Sequence, residues 1–199
     1  MDDAELLRRL LSGDQQAFAD IVRRHHATLV RVARVYVGSY STAEDVAQET
    51  WMAVVRGIER FEQRSSFKTW LLRICVNRAR SIGTREHRSV PVDPTESTTA
   101  VDGSRFGENG MWTTPPRSFT DLVDGRVANE LVIATIRRTI SELPEPARAV
   151  VTLRDVEGLS TTEVADLLGL SEANVRVVLH RGRAKVRAAL DEIDEGGNQ

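Results

Sequence analysis

STTEVADLLGLSEANVRVVLHRGRAKVRAAL, residues 160–190, reads as a helix, a tight turn and a second helix. Ser160 stands where a helix starts, and Glu163 three residues on completes a capping box, in which each side chain satisfies a backbone N–H of the first turn. Ala165 is small where two helices must cross. Gly169 follows the last apolar residue of the first helix, a place where the chain turns through a left-handed conformation that glycine adopts cheaply. Ser171 then caps the second helix. From there Val175, Val178, Leu179, Gly182, Val186 and Leu190 recur at spacings of three and four and form an inward face. Glu172, Arg176, Val177, His180, Arg181 and Arg183 are left outward or on the flanks, in the arrangement that a major groove accepts. This is a helix-turn-helix pattern. An ordinary helical hairpin with a solvated basic face has the same periodicity, so the rest of the chain must decide between them.

The chain has 199 residues, 41% of them apolar, enough for one packed domain or two small ones. Its formal net charge is −2, so any affinity for nucleic acid must come from local patches rather than an overall field. Two such patches exist. Residues 64–88 hold Arg64, Lys68, Arg73, Arg78, Arg80, Arg85 and Arg88 against Glu86 alone, and residues 171–188 hold Arg176, Arg181, Arg183, Lys185 and Arg187 against Glu172. The single cysteine, Cys75, lies in an apolar helical run, which excludes a disulfide framework or a cysteine zinc site built from this chain alone. No cofactor or metal is expected. No apolar stretch approaches a membrane span, and the N-terminus lacks the apolar core of a signal peptide, so a cytoplasmic protein is expected.

The fold class is all-α: two helical domains joined by a flexible linker. From Ala4 to about Gly83 the periodicity is helical. Leu6, Leu7, Leu10 and Leu11 make a short first helix that Gly13-Asp14 breaks, and Phe18 to Tyr36 keep helical spacing until Gly38. A third helix starts at Ser41, with Ser41 and Glu44 as a capping box, and runs through Val46, Trp51, Val54, Val55 and Ile58 to about Phe61. Glu62-Gln63-Arg64-Ser65 is a polar turn. A fourth helix, Ser66 to Gly83, buries Phe67, Trp70, Leu71, Ile74 and Cys75. Strand-like alternation is absent, which predicts a helical bundle. Between His87 and Gly125 the composition shifts to proline, glycine, serine and threonine, the mark of a linker. Phe106, Met111, Trp112 and Phe119 within it are too apolar for a plain spacer and suggest a docking stretch. Helix returns at about Val127, is interrupted at Leu143-Pro144-Glu145-Pro146, and resumes from about Ala147 to Val156 before the helix-turn-helix. The acidic tail after Ile193 reads as frayed.

Two helical bodies, each with a basic island, suggest a protein that holds DNA at two separated places. At AEDVAQETWMAVVRGIERFE with SFKTWLLRICVNRARS, and at LPEPARAVVTLRDVEGLSTTEVADLLGLSEANVRVVLHRGRAKVR, the chain resembles the extracytoplasmic-function (ECF) group of the sigma-70 family of bacterial RNA polymerase sigma factors. The resemblance implies region 2 over residues 1–86, a linker over 87–127 and region 4 over 128–199. It implies that Glu44, Asp45, Gln48, Glu49 and Arg56 face core RNA polymerase at the beta-prime clamp helices, with the beta flap as a second polymerase contact. Helix-dipole complementation alone would account for Glu44 and Asp45, but poorly for Gln48 and Glu49.

It further implies that Arg60, Glu62, Gln63, Arg64, Ser65, Lys68, Arg73, Asn77, Arg78 and Arg80 handle the minus-10 element of promoter DNA. A small polar pocket there would take an unstacked base while cations hold the strand. For the minus-35 element the implied residues are Glu172, Ala173, Asn174, Arg176, Val177, His180, Arg181 and Arg183, with arginine bonding guanine bidentately. His180 is also a common polar surface residue, and Arg183 belongs with Lys185 and Arg187 as a phosphate contact. Phe61, Phe67 and Trp70 read as core rather than as stacking platforms. An anti-sigma factor is an implied partner; a small-molecule substrate is not.

Two other classes compete. A self-standing helix-turn-helix regulator would bind operator duplex by itself, whereas a sigma factor binds weakly until polymerase is added. A DNA-processing enzyme needs clustered carboxylates or an activated nucleophile, and the one tight acidic group, Glu44, Asp45 and Glu49, has no histidine or further acid at a suitable spacing.

Overall fold

A computed structural model describes residues 3–88 and 130–196, and among these residues every regular element is helical. The first group is α1 (Asp3–Leu11), α2 (Gln15–Ala33), α3 (Tyr40–Gly57), a 3-10 turn (Ile58–Arg60) and α4 (Phe67–Arg88). The second is α5 (Glu130–Glu142), α6 (Glu145–Val151) running into a π-helical turn (Thr152–Val156), α7 (Thr161–Leu168) and α8 (Glu172–Gly196). The linker expected over 87–127, with Phe106, Met111, Trp112 and Phe119, lies outside the described residues apart from its first two.

Gly13 turns the chain at φ 89°, and Asp14 then accepts from the N–H groups of Gln16 and Ala17 to start α2. That cap satisfies donors that no helical partner reaches and contributes about 1 kcal/mol. α2 ends at Ala33, earlier than its apolar spacing suggested, yet Val35, Tyr36 and Val37 stay buried in the turn that follows. The start of α3 also differs from expectation: Ser39, not Ser41, is the cap, with an extended backbone and an oxygen that accepts from Thr42 N–H at 2.9 Å. Ile21, Leu29, Val46, Val54, Leu71, Leu72 and Val76 form the centre of the bundle and are essentially inaccessible. Trp51 closes it with an edge-on contact to Phe18, and its indole N–H donates to His26 Nδ1. Gly83 lies where α4 passes the turn after α2 so closely that a Cβ would sit 2.2 Å from the Tyr36 carbonyl oxygen.

In the second group α5 and α6 pack across the length of α8. Gly182 is the crossing point, since a Cβ there would meet Val151 Cγ2 at 2.5 Å. Ile136, Val186 and Leu190 form a satellite cluster that fastens α5 to the far half of α8. The larger buried cluster is continuous from Leu6 to Leu179, so the two groups are in contact through α4 and α7.

Candidate nucleic-acid interface

The helix-turn-helix forms as its sequence implies. Ser160 Oγ accepts from Glu163 N–H, the Glu163 carboxylate accepts from Ser160 N–H at 2.9 Å, and the box is closed. Gly169 is left-handed at φ 69°, and the N–H groups of Gly169 and Leu170 return to the Ala165 carbonyl. Ser171 Oγ accepts from Asn174 N–H at 3.2 Å to begin α8. Val175, Leu179, Gly182, Val186 and Leu190 point inward; Ala173, Asn174, Arg176 and Arg181 are exposed, with Val177 and His180 half-buried beside them. Glu172 ties the motif together, accepting from the Thr162 hydroxyl at 2.7 Å and from Arg176 at 2.6 Å. Arg176 is thereby held along the helix, while Arg181 projects one turn further on.

Arg183, expected as a phosphate contact, is engaged within the second group. Its guanidinium makes a two-pronged ion pair with Asp155, at 2.8 and 2.5 Å, with side-chain exposures of only 15% and 4%. It bolts α8 to the π-helical turn.

On the first group, the turn after α3 is fully open. Arg60, Glu62, Gln63, Arg64 and Ser65 are exposed, Arg64 pairs with Glu62 at 2.6 Å, and Gln63 is held at φ 54°, a conformation a non-glycine residue adopts only when its surroundings dictate it. Under the turn Phe61, Phe67 and Trp70 pack with ring centroids 5.0 to 6.0 Å apart, which makes them its foundation, as expected. Arg73 and Asn77 continue the exposed stripe along α4. Three of the expected cations are engaged elsewhere: Lys68 bonds Glu157 of the second group, Arg78 donates to Glu49 at 2.7 Å, and Arg80 lies over the Tyr36 ring at 5.4 Å.

The expected polymerase set on α3 divides in the same way. Asp45, Gln48 and Arg56 are exposed. Glu44 accepts from His26 at 2.9 Å, and its carboxyl is held below its ordinary range, chiefly by a hydrogen bond from Tyr40. Glu49 is the Arg78 partner. Burial pushes the Cys75 thiol up to about 12, so it is an inert core side chain rather than a nucleophile.

Residues 21–88 match the family Sigma-70 region 2, and residues 133–186 match Sigma-70, region 4. The RNA polymerase sigma-H factor of Pseudomonas aeruginosa is 30% identical over 193 residues, covering 96% of this chain and 95% of that protein. The ECF RNA polymerase sigma-E factor of Haemophilus influenzae is 31% identical over 191 residues, covering 94% of each. The chain belongs to the ECF group of the sigma-70 family. It therefore binds core RNA polymerase and promoter DNA and directs promoter-specific initiation. Among solved structures, CnrH in complex with the cytosolic domain of CnrY superposes with a TM-score of 0.59 at 27% identity, covering 96% of this chain and 97% of that one. The sigma factor RpoE of Bartonella quintana, solved with the anti-sigma factor NepR, superposes at 0.60 over 87% and 96% of the two chains; at 18% identity it speaks for the fold alone.

In this sigma factor the α3 face carries two exposed apolar side chains. Met52 is 49% exposed and Val55, expected in the core, is 60% exposed. With Asp45, Gln48 and Arg56 they make one stripe at spacings of three and four, apolar at its centre and polar at its edges, the composition of a protein-binding surface. Adjacent valines 54 and 55 differ by about 100° around a helix, so only one could face inward; that was the available signal. No helix among the described residues is long and apolar enough to cross a membrane.

Proposed function

We propose that the α3 stripe of Asp45, Gln48, Met52, Val55 and Arg56, with Glu49 and Glu44 behind it, docks on core polymerase, while the exposed faces of α4 and α8 take the two promoter elements. Arg60, Glu62, Gln63, Arg64, Ser65, Arg73 and Asn77 take the minus-10 strand, joined by Lys68, Arg78 and Arg80 when their present partners release them. Ala173, Asn174, Arg176, Val177, His180 and Arg181 enter the minus-35 groove, with Glu172 positioning Arg176. The observation that carries this reading is the pair of exposed polar faces, on α4 and at the leading end of α8, built on separate helical groups of one chain. The protein is a specificity subunit of the cytoplasmic transcription machinery and catalyses nothing itself. Control by an anti-sigma factor is supported by CnrH, whose solved structure is a complex with a cytosolic partner domain. Run-off transcription with purified core polymerase on a genomic promoter pool tests the assignment: new, specific start sites are expected, and their absence would refute it. Operator-duplex binding by the free protein at the same affinity as by the holoenzyme would favour a self-standing regulator instead.

A further inference from the structure

A groove of about 1030 Å³ runs between the turn after α2 and α5. Val35 and Val37 line it from region 2, Ile133, Ile136 and Ile140 line it from region 4, and Val156, 43% exposed, joins them from the π-helical turn. Sites that take a whole ligand hold about 300–1,000 Å³, so this recess accepts several side chains together. An open apolar recess of that size marks a surface that another segment covers. The charges around it have one sign in excess: Arg31, Arg34, Arg137 and Arg148 stand against Glu86. Arg148 donates to the Ser141 and Val35 carbonyls at 2.9 and 2.7 Å, and its buried Nε–H has no acceptor among the described residues. The occupant that fits is apolar, acidic in balance and able to offer a carbonyl.

The chain itself carries such a segment, and both of its ends lie on the groove. Glu86, two residues before α4 ends at Arg88, and Ile133, three residues after α5 begins at Glu130, are both in the lining. Between them residues 89–129 hold Asp93, Glu96, Asp102, Glu108, Asp121 and Asp124 against Arg105, Arg117 and Arg126, the opposite excess to that of the groove. Met111, Trp112 and Phe119 gather there around Pro115-Pro116. Trp112 lies 24 residues past Arg88 and 18 before Glu130. The shorter side spans about 60 Å when extended, at about 3.3 Å per residue, so reach is no obstacle. The tether presents the segment at an effective concentration of about millimolar, and the proline pair restricts the free chain, which lowers the entropy lost on seating.

We propose that residues 111–119 seat in this groove in cis, with Trp112 and Phe119 filling its apolar interior and the flanking acids facing Arg34 and Arg137, so that the linker is a packed bridge between regions 2 and 4 rather than a spacer. The inference rests on the groove and on the composition of the chain, and is independent of the polymerase and DNA assignments. The test uses the full chain labelled with 5-fluorotryptophan, in which Trp51, Trp70 and Trp112 each give a fluorine resonance and Trp112→Phe identifies the third. Broadening by a soluble gadolinium chelate should be several-fold weaker at Trp112 in the full chain than in a peptide of residues 103–121. Val156→Glu with Arg137→Glu, two exposed positions, should bring the broadening up to the level of the peptide while Trp51 and Trp70 keep their resonances.

Phe119→Ala, which alters no residue of either helical group, should raise the broadening at Trp112 as well, and it serves if the groove variant does not fold by circular dichroism. Trp112 as exposed in the full chain as in the peptide would overturn the proposal; should core polymerase then protect it, the seat belongs to the polymerase. Protection lost on dilution would overturn it in favour of a second copy of this chain. Protection retained in the folded groove variant would place the segment elsewhere and overturn it too.

Discussion

The faces proposed for DNA on regions 2 and 4 are written in the same residue type and fold into different situations. On α8 the leading arginines are exposed and Arg176 pairs with its own helix neighbour Glu172, so the face is available as it stands. On α4 the cations are divided among other duties: Lys68 is held by region 4, Arg78 by Glu49, and Arg80 by the Tyr36 ring. A register places a side chain on a face; what the side chain does there depends on which acids and rings the tertiary fold brings opposite. The face proposed on region 4 stands open, and the one proposed on region 2 is covered at its leading edge.

The sharpest way to break this comparison is Asp155→Ala. It removes the two-pronged partner of Arg183 in a nearly closed site and should destabilise region 4 by about 3–5 kcal/mol, seen as loss of its thermal transition. If Arg183 were a DNA contact instead, stability would hold and promoter affinity would drop. Next come the crossing glycines. Gly83→Ala pushes a methyl against the Tyr36 backbone, which cannot step aside, and should destabilise region 2 by about 1–3 kcal/mol in chemical denaturation; Gly182→Ala meets the buried, β-branched Val151 side chain and should fall in the same range. Arg181→Ala should leave stability alone and lower discrimination at one minus-35 base pair by about 1–3 kcal/mol, measured by holoenzyme competition on single-base promoter variants.

The smallest effects are those of pH. His25 is buried against Phe67 and its pKa lies below the ordinary 6.5, chiefly from burial, so the unfolded chain takes up a proton more readily. Region 2 should therefore lose stability as pH falls below about 6.5. The Glu163 carboxyl lies below its ordinary 4.5, chiefly through the Thr69 hydrogen bond; its stabilisation is complete above that value and is lost as pH falls through the lower folded one. Acidification should loosen region 2 first, which Trp51 and Trp70 fluorescence in a Trp112→Phe background can follow. Simultaneous loss of both regions would show that the Lys68–Glu157 contact couples them.

Much of the fold was legible. The box at Ser160–Glu163, the left-handed Gly169 and the Ser171 cap are local hydrogen-bond arrangements between residues three to five apart, so the chain specifies them without help. The start of α3 was misread because Ser39, Ser41 and Thr42 offer three neighbouring hydroxyls; Ser41 and Thr42 instead bond to Ser39, and Glu44 turns to Tyr40 and His26 rather than back to the helix start. α8 runs through Gly196, across the acidic stretch that reads as frayed.

Helices, caps and inward faces were determined by the sequence itself, because they depend on neighbours within one turn. The partners of the charges were decided by tertiary structure alone. Arg183 with Asp155 spans 28 positions and Arg31 with Glu157 spans 126, and no periodicity reaches that far: an ion pair is chosen by which carboxylate the packed core carries to within about 3 Å.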